Sequence, residues 1–203
     1  MLANDDKLPV AQVVALVKDA VRGDMSSFEE LFTSAEKALY RVGLGITGNP
    51  EDAEDALAET ALVTLESLAT LRRPEYFYTW VTRIVIKQCY TIGRRQKKIV
   101  PLSSSAVEGP DSSAEDYGAS QPGTWAWAEY QDLRQALKEL TSEHRAVVVL
   151  RFIEDLPVAD VARILDIPEG TVKSRLHHAL KGLQRKLRDS RPHHHPAGGA
   201  QSE

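Results

Sequence analysis

The sequence predicts an all-α protein built as two small helical domains joined by a flexible acidic linker. Three observations carry this expectation. Apolar residues recur at helical spacing along most of the chain, strand signals are weak, and composition changes abruptly between Pro101 and about Thr124. That stretch holds Ser103, Ser104, Ser105, Gly109, Pro110, Ser112, Ser113, Gly118, Pro122 and Gly123, and its charged residues are all acidic. Such a segment buries too little apolar surface to offset its ordering entropy. The boundaries that follow are 1–98 for the first domain, 99–128 for the linker, 129–191 for the second domain and 192–203 for a disordered tail.

In the first domain, Val10, Val13, Val14, Val17 and Val21 mark one helix. Phe28, Leu31 and Phe32 resume the apolar face after Gly23-Asp24, and Leu39, Val42 and Ile46 continue it to a stop at Gly48. Asn49-Pro50 then starts a helix, because Asn caps free amides and Pro suits the first turn. Glu51, Asp52, Glu54 and Asp55 place negative charge at the positive end of its dipole. This helix is expected to bury Leu57, Ala61, Leu65 and Leu68. After Arg72-Arg73-Pro74 another helix begins near Tyr76 and runs to about Lys98.

The second domain shows apolar repeats at Leu133, Leu137 and Leu140, then at Val147, Val148 and Leu150. Pro157 opens a short helix with Val158, Val161, Ala162 and Leu165 facing inward. Asp166-Ile167-Pro168-Glu169 makes a tight turn into a helix with Val172, Leu176, Ala179, Leu180 and Leu183 on its buried face. Ala162 is the small residue that two steeply crossing helices need at their contact. This is a helix-turn-helix pattern, whose second helix enters the DNA major groove. Its exposed face offers Thr171, Lys173, Ser174, Arg175, His177 and His178 for base edges and phosphates. A helical bundle with a merely solvated basic face is the competing reading. Local charge weighs against it: Lys173, Arg175, Lys181, Arg185, Lys186, Arg188 and Arg191 face only Asp189 in a chain of net charge −4.

The run Glu169-Gly170-Thr171-Val172-Lys173-Ser174-Arg175-Leu176, preceded by Leu140-Thr141-Ser142-Glu143-His144-Arg145, resembles region 4 of extracytoplasmic-function sigma factors. The first domain resembles region 2 of the same family. Gly23-Asp24 with Phe28 to Phe32 is similar to its first part, Pro50 to Ala56 to the acidic start of its polymerase-docking helix, and Phe77 to Ile84 to the segment that opens and holds the −10 element. The resemblance implies a sigma factor that binds core RNA polymerase and directs promoter-specific initiation. It implies −35 contacts at Thr171, Lys173, Ser174, Arg175, His177 and His178, and polymerase contacts at Asp52, Asp55 and Glu59. It further implies promoter DNA as a partner and an anti-sigma protein as a second one. Four positions depart from the family's habits: Ala58 stands where Gln is frequent, Ala61 where a bulky aromatic is, Lys87 where Asn is and His178 where Arg is.

The chemistry of the first domain points the same way. Arg72, Arg73, Arg83, Lys87, Arg94, Arg95, Lys97 and Lys98 surround Tyr76, Phe77, Tyr78 and Trp80, with only Glu75 opposing them. Rings that stack on bases beside cations that hold phosphates suit an unpaired strand, and the loop from Leu71 to Tyr76 could help to form a pocket for a base taken out of the stack. Arg72, Arg73, Tyr76, Phe77, Tyr78, Arg83 and Lys87 are the −10 candidates. Phe77 and Trp80, spaced i and i+3, also suit a core; Trp80 is read as core, and Tyr76 and Tyr78 as exposed.

Other classes of function find little support. The net charge of −4 argues against a protein that coats nucleic acid through bulk electrostatics. An operator-binding regulator would explain the helix-turn-helix but not the acidic docking helix or the aromatic–basic segment. The chain has no Walker pattern and no HExxH, so no enzyme, cofactor or metal is expected. His193-His194-His195 reads as a solvated end. Cys89, the only cysteine, excludes an intrachain disulfide and reads as a small buried hydrophobe. The first residues lack a signal-peptide pattern and no apolar run approaches the ~20 residues that span a bilayer, so a soluble cytoplasmic protein with no membrane insertion is expected.

Overall fold

The computed structural model describes residues 7–99 and 135–190, and among these there is no strand. Most of the expected linker and all of the tail, including Glu108, Asp111, Glu115, Asp116 and the three tail histidines, lie outside the described residues. Four helices form the first unit: α1 (Val10–Val21), α2 (Met25–Thr47), α3 (Pro50–Ser67) and α4 (Phe77–Ile99). Two 3-10 turns, Leu68–Thr70 and Pro74–Tyr76, lead from α3 to α4. The second unit has a helical stretch at 135–138, then α5 (Ser142–Val148) running into a π-helical turn Val149–Ile153, then α6 (Val158–Leu165) and α7 (Glu169–Ser190).

The helix ends are set by side chains readable in the sequence. Asp24 accepts from the amide of Ser26 at the start of α2, and Gly48 closes that helix at φ +71°, donating to the Leu44 carbonyl at 2.8 Å. Asn49 accepts from the amide of Glu51 at 2.9 Å, with Pro50 in the first turn of α3. Thr141 caps α5, accepting from the His144 amide. Asp166 ends α6 in the left-handed conformation at φ 54°, where Asp is tolerated because its short polar side chain bonds locally.

The core of the first unit is built from Leu31, Leu39 and Val42 of α2 against Phe77, Val81 and Val85 of α4, all fully buried. α3 lies across both, and here the structure corrects the expected face. Ala53, Ala56, Thr60 and Thr64 are buried; Leu57 and Ala61 are half-buried, and Leu65 is 42% exposed. The reason is close packing. A Cβ on Gly43 of α2 would stand in ordinary contact with Ala53 at 3.6 Å, and it is the small side chains of α3 that meet α2 there, while Leu57 packs at the margin of the core and Leu65 turns outward. Leu68 is buried as expected, but in the 3-10 turn beyond α3. In α1, Val13 and Val17 carry the burial while Val10 and Val21 at the ends are exposed.

The second unit closes around Val147, Leu150, Leu156, Val161, Val172 and Ala179. Leu180 is 44% exposed instead of buried. The buried stripe of α7 is Val172, Leu176, Ala179 and Leu183, and Leu180 falls roughly 70° round the helix from its centre. In α6, Val161, Ala162 and Ile164 are buried, whereas Val158 and Leu165 lie at the margin. The two units also touch each other. Gly45, within α2, gives up about 1 kcal/mol of helix propensity relative to Ala, and a Cβ there would lie 2.7 Å from Val149 of the second unit.

Candidate nucleic-acid interface

The loop between α3 and α4 and the first turns of α4 form an open pocket of about 480 Å³. Thr70, Leu71, Arg72, Arg73 and Tyr76 line it from the loop, Thr79, Trp80 and Arg83 from α4, and Arg163 from α6. The Arg73 guanidinium lies 4.5 Å from the centre of the Tyr76 ring and donates to Glu75 at 2.9 Å. That hydrogen bond holds Arg73 above its ordinary pKa, while the backbone amide and Arg73 hold the Glu75 carboxyl below the usual range. Arg72 and Tyr76 are exposed, as expected. Arg83 and Lys87, one turn apart on α4, are exposed as well, and Arg94 extends the same stripe.

Three aromatic assignments need revision. Phe77 is fully buried, so its ring packs the core and is closed to DNA; it meets Tyr78 edge-on at 5.6 Å and Trp80 at 6.4 Å. Tyr78 is half-buried rather than exposed, and its hydroxyl is turned inward, accepting from the Leu8 amide at 2.9 Å and bonding Ser34 at 3.0 Å. Trp80, read as core, is half-buried and forms a wall of the pocket. Alternation of apolar positions could separate Phe77 from the rest, but the Tyr78 partners come from α2 and the segment before α1, which no local pattern reveals.

On α7, Lys173, Ser174, His177 and His178 are exposed on one face, with Thr171 and Arg175 half-buried at its flank. Lys181, Arg185 and Arg188 continue this face as a basic stripe. Lys186, also in that cluster, instead pairs with Glu139. His144 of α5 adds a ring to the surface: it stands 6.4 Å from His178, which is 5.6 Å from His177, and the Thr141 hydroxyl holds its Nδ1 at 3.1 Å. Motif spacing alone did not bring His144 into this set. The flank is electrostatically shaped. Burial, reinforced by the Glu143 charge, pushes the Tyr90 hydroxyl of α4 up to about 12, and Arg175 opposes that rise.

The acidic side chains of α3 present a separate face. Asp55 and Glu59 are exposed and Asp52 is half-buried. Leu62 (59% exposed) and Leu65 stand beside them, so the face is acidic and apolar together. Ala58 is exposed on it and Ala61 borders it. Among the described residues no group of three metal-binding side chains converges, and no helix is long and apolar enough to cross a membrane.

Comparison with known proteins agrees with this geometry. Residues 31–99 match the Sigma-70 region 2 family model and residues 130–183 the Sigma-70, region 4 model. RNA polymerase sigma factor SigV of Bacillus subtilis is 30% identical over 155 residues, covering 76% of this chain and 87% of SigV. The ECF RNA polymerase sigma factor SigM of Mycobacterium tuberculosis is 31% identical over 167 residues, covering 82% and 80%. Among solved structures, CnrH in complex with the cytosolic domain of CnrY shares the fold, with a TM-score of 0.65 at 18% identity over 89% of this chain and 99% of that one. Two helical units, a helix-turn-helix and matches to both family models lead to one conclusion: the chain belongs to the extracytoplasmic-function sigma factors of the sigma-70 family.

Proposed function

We propose that this sigma factor divides promoter reading between two surfaces and polymerase binding between a third and the rest of the chain. As a sigma factor it binds core RNA polymerase and directs promoter-specific transcription initiation; it is an initiation factor, and RNA synthesis itself belongs to the polymerase. In the proposed division, residues 1–98 dock on polymerase and hold the −10 element, 99–128 connect, and 129–191 read the −35 element. Lys173, Ser174, Arg175, His177 and His178, with Thr171 at the margin, face the major groove, while His144 and the stripe Lys181, Arg185 and Arg188 meet phosphates. Arg72, Arg73, Tyr76, Arg83 and Lys87 take the unpaired −10 strand, with a base entering the pocket against Tyr76 and Trp80. Asp52, Asp55 and Glu59, with Leu62 and Leu65, meet the polymerase. The pocket is the observation that carries this reading: three arginines and two aromatic rings of the first unit converge on a space that an operator-binding regulator has no use for.

The site of action is the cytoplasm, where polymerase and chromosome are. The proposal extends to an anti-sigma protein as a further partner: the sigma factor RpoE of Bartonella quintana, whose structure in complex with the anti-sigma factor NepR shares this fold with a TM-score of 0.58 at 20% identity, has one. Run-off transcription with core polymerase tests the main reading. The chain should convert core polymerase into an enzyme that starts at discrete promoters. Retention of DNA binding with no capture of core polymerase would instead support the operator-binding alternative.

A further inference from the structure

Four arginines converge on the open pocket between α3 and α4, and they are unevenly paired. Arg73 donates to Glu75 at 2.9 Å, and Arg163, reaching in from α6, donates to Asp160 at 2.7 Å. Arg72 and Arg83 pair with no carboxylate among the described residues. Arg83 commits one donor to the carbonyl of Arg163 and keeps the rest of its fork for a ligand. No acidic side chain lines the space among the described residues, so two guanidiniums border it without a countercharge. The walls between them are aromatic. Tyr76 is exposed, with the Arg73 guanidinium 4.5 Å from its ring centre, and Glu75 holds that guanidinium in place, so ring and cation form one preset stacking platform. Trp80 stands on the α4 side, half-buried and tilted against Phe77 of the core at 6.4 Å.

A space of about 480 Å³ falls within the roughly 300–1,000 Å³ of small-molecule sites. Aromatic walls take a flat heterocycle, and guanidiniums without a countercharge take phosphate oxygens, bidentately where the fork allows. One nucleotide of an unpaired strand offers both groups, and so does a free nucleotide. The two sources differ in charge. A nucleotide inside a strand brings a single phosphodiester charge, whereas a free nucleoside triphosphate brings several on one short chain. We propose that this pocket is also a binding site for a free nucleoside 5′-di- or triphosphate, with its base against Tyr76 and Trp80 and its phosphates on Arg72, Arg83 and Arg163. The site stands on the pocket alone; competition between this ligand and the unpaired strand rests on the −10 reading above. Arg163 separates the two ligands. It belongs to the second unit and has no place in the proposed strand contacts, so the free nucleotide spans both units while the strand uses the first.

The experiment uses the full chain with Trp125→Phe and Trp127→Phe, which leaves Trp80 as its only tryptophan and as the reporter. Its fluorescence is titrated with GTP, ATP, guanosine and inorganic tripolyphosphate, without magnesium so that the phosphates are free for the guanidiniums, and calorimetry repeats each titration. Helical content and melting temperature are measured for every variant. GTP and ATP should quench Trp80. Guanosine and tripolyphosphate should each bind about tenfold more weakly or worse, since one lacks the charge and the other the stacked base. Arg72→Ala and Arg83→Ala should each weaken GTP by about tenfold. Arg163→Ala should weaken it by about threefold, because Asp160 already shares that charge. GTP should displace a fluorescent single-stranded DNA of mixed sequence, and Arg163→Ala should leave the affinity for that strand unchanged. Tripolyphosphate binding as tightly as GTP overturns the proposal, because the arginines then hold any polyanion. GTP binding undiminished by Arg72→Ala and Arg83→Ala overturns it too, since the ligand then sits elsewhere, and undiminished binding by Arg163→Ala overturns the assignment of phosphates to both units. A strand that binds where GTP does not removes the free ligand and leaves the −10 reading standing. GTP that quenches Trp80 while no strand binds, with or without core polymerase, supports the nucleotide site and sinks the −10 assignment.

Discussion

Cys89 sits in α4 with 3% of its surface exposed, and burial pushes its thiol up to about 12. A thiol in an unfolded chain ionises near about 8.5, so above that pH only the unfolded state loses the proton. The folded state's raised pKa therefore contributes stability that is complete below about pH 8.5 and falls away as pH rises toward about 12. Tyr90, also pushed up to about 12, adds to the loss once pH passes the ordinary tyrosine value of about 10. Denaturant midpoints at pH 7.5, 9.5 and 10.5 should fall in that order, and Cys89→Ala should flatten the first step. Iodoacetamide at pH 8 should leave the native thiol unmodified. On the reading surface, Arg175→Ala should cost about 1–3 kcal/mol on the cognate −35 sequence with little change in core-polymerase affinity. An equal loss on every sequence would make Arg175 a phosphate contact. The residues read correctly in advance, Cys89 as buried and Lys173, Ser174, His177 and His178 as exposed, are those whose environment follows from neighbours in sequence, whereas Thr171 and Arg175, expected on the same exposed face, are half-buried. Tyr78 was misjudged because its hydroxyl is claimed by Leu8 and Ser34, which are distant along the chain.

At the scale of the element, α3 decides most. Its start was legible, since Asn49, Pro50 and the acids after them are a local signal, but its face was not. Leucine spacing suggested a stripe at Leu57, Ala61, Leu65 and Leu68, whereas Ala53, Ala56, Thr60 and Thr64 meet α2 and α4. Hydrophobicity ranks leucine above threonine, but the face of α3 that packs is the one with Ala53 in contact distance of Gly43, and only the packed neighbour reveals that. The consequence can be measured twice. Thr64 Oγ1 is buried with no hydrogen-bond partner among the described residues, so Thr64→Val should be neutral or stabilise by up to ~1 kcal/mol in chemical denaturation. A loss of stability would show that the hydroxyl is satisfied. On the opposite face, Leu62→Ser with Leu65→Ser should change unfolding free energy by no more than about 0.5 kcal/mol per site, because Leu62 is 59% and Leu65 42% exposed and neither packs against the core. The same pair should weaken core-polymerase binding by about 1 kcal/mol or more. Unchanged polymerase affinity would confine docking to Asp52, Asp55 and Glu59.

For the whole molecule, the two units were legible from composition, while their docking was not: Glu154 reads as one more surface acid until Arg41, 113 residues away, is placed on it. The charge distribution has a consequence for DNA binding. The chain is net −4, so its basic faces on α4 and α7 work against a repulsive background when the protein approaches a polyanion. Arg163 of the second unit borders the pocket proposed for the −10 strand and the flank of α7 lies near α4, so neither proposed reading surface is presented alone. The free chain should therefore bind duplex promoter DNA no more tightly than the roughly 10⁻⁴–10⁻⁶ M of nonspecific association at physiological salt. Core polymerase changes the arithmetic by fixing both surfaces at promoter spacing, so that one engaged element raises the effective concentration of the other. Anisotropy titrations of the free chain with cognate and scrambled duplexes should give nearly equal, steeply salt-dependent affinities. With core polymerase added, the cognate duplex should separate from the scrambled one by at least about tenfold, which corresponds to 1.4 kcal/mol of specific contact. Tight, sequence-specific binding by the free chain at that salt would mean that the basic stripe overcomes the net charge unaided and that docking leaves the recognition helix fully available.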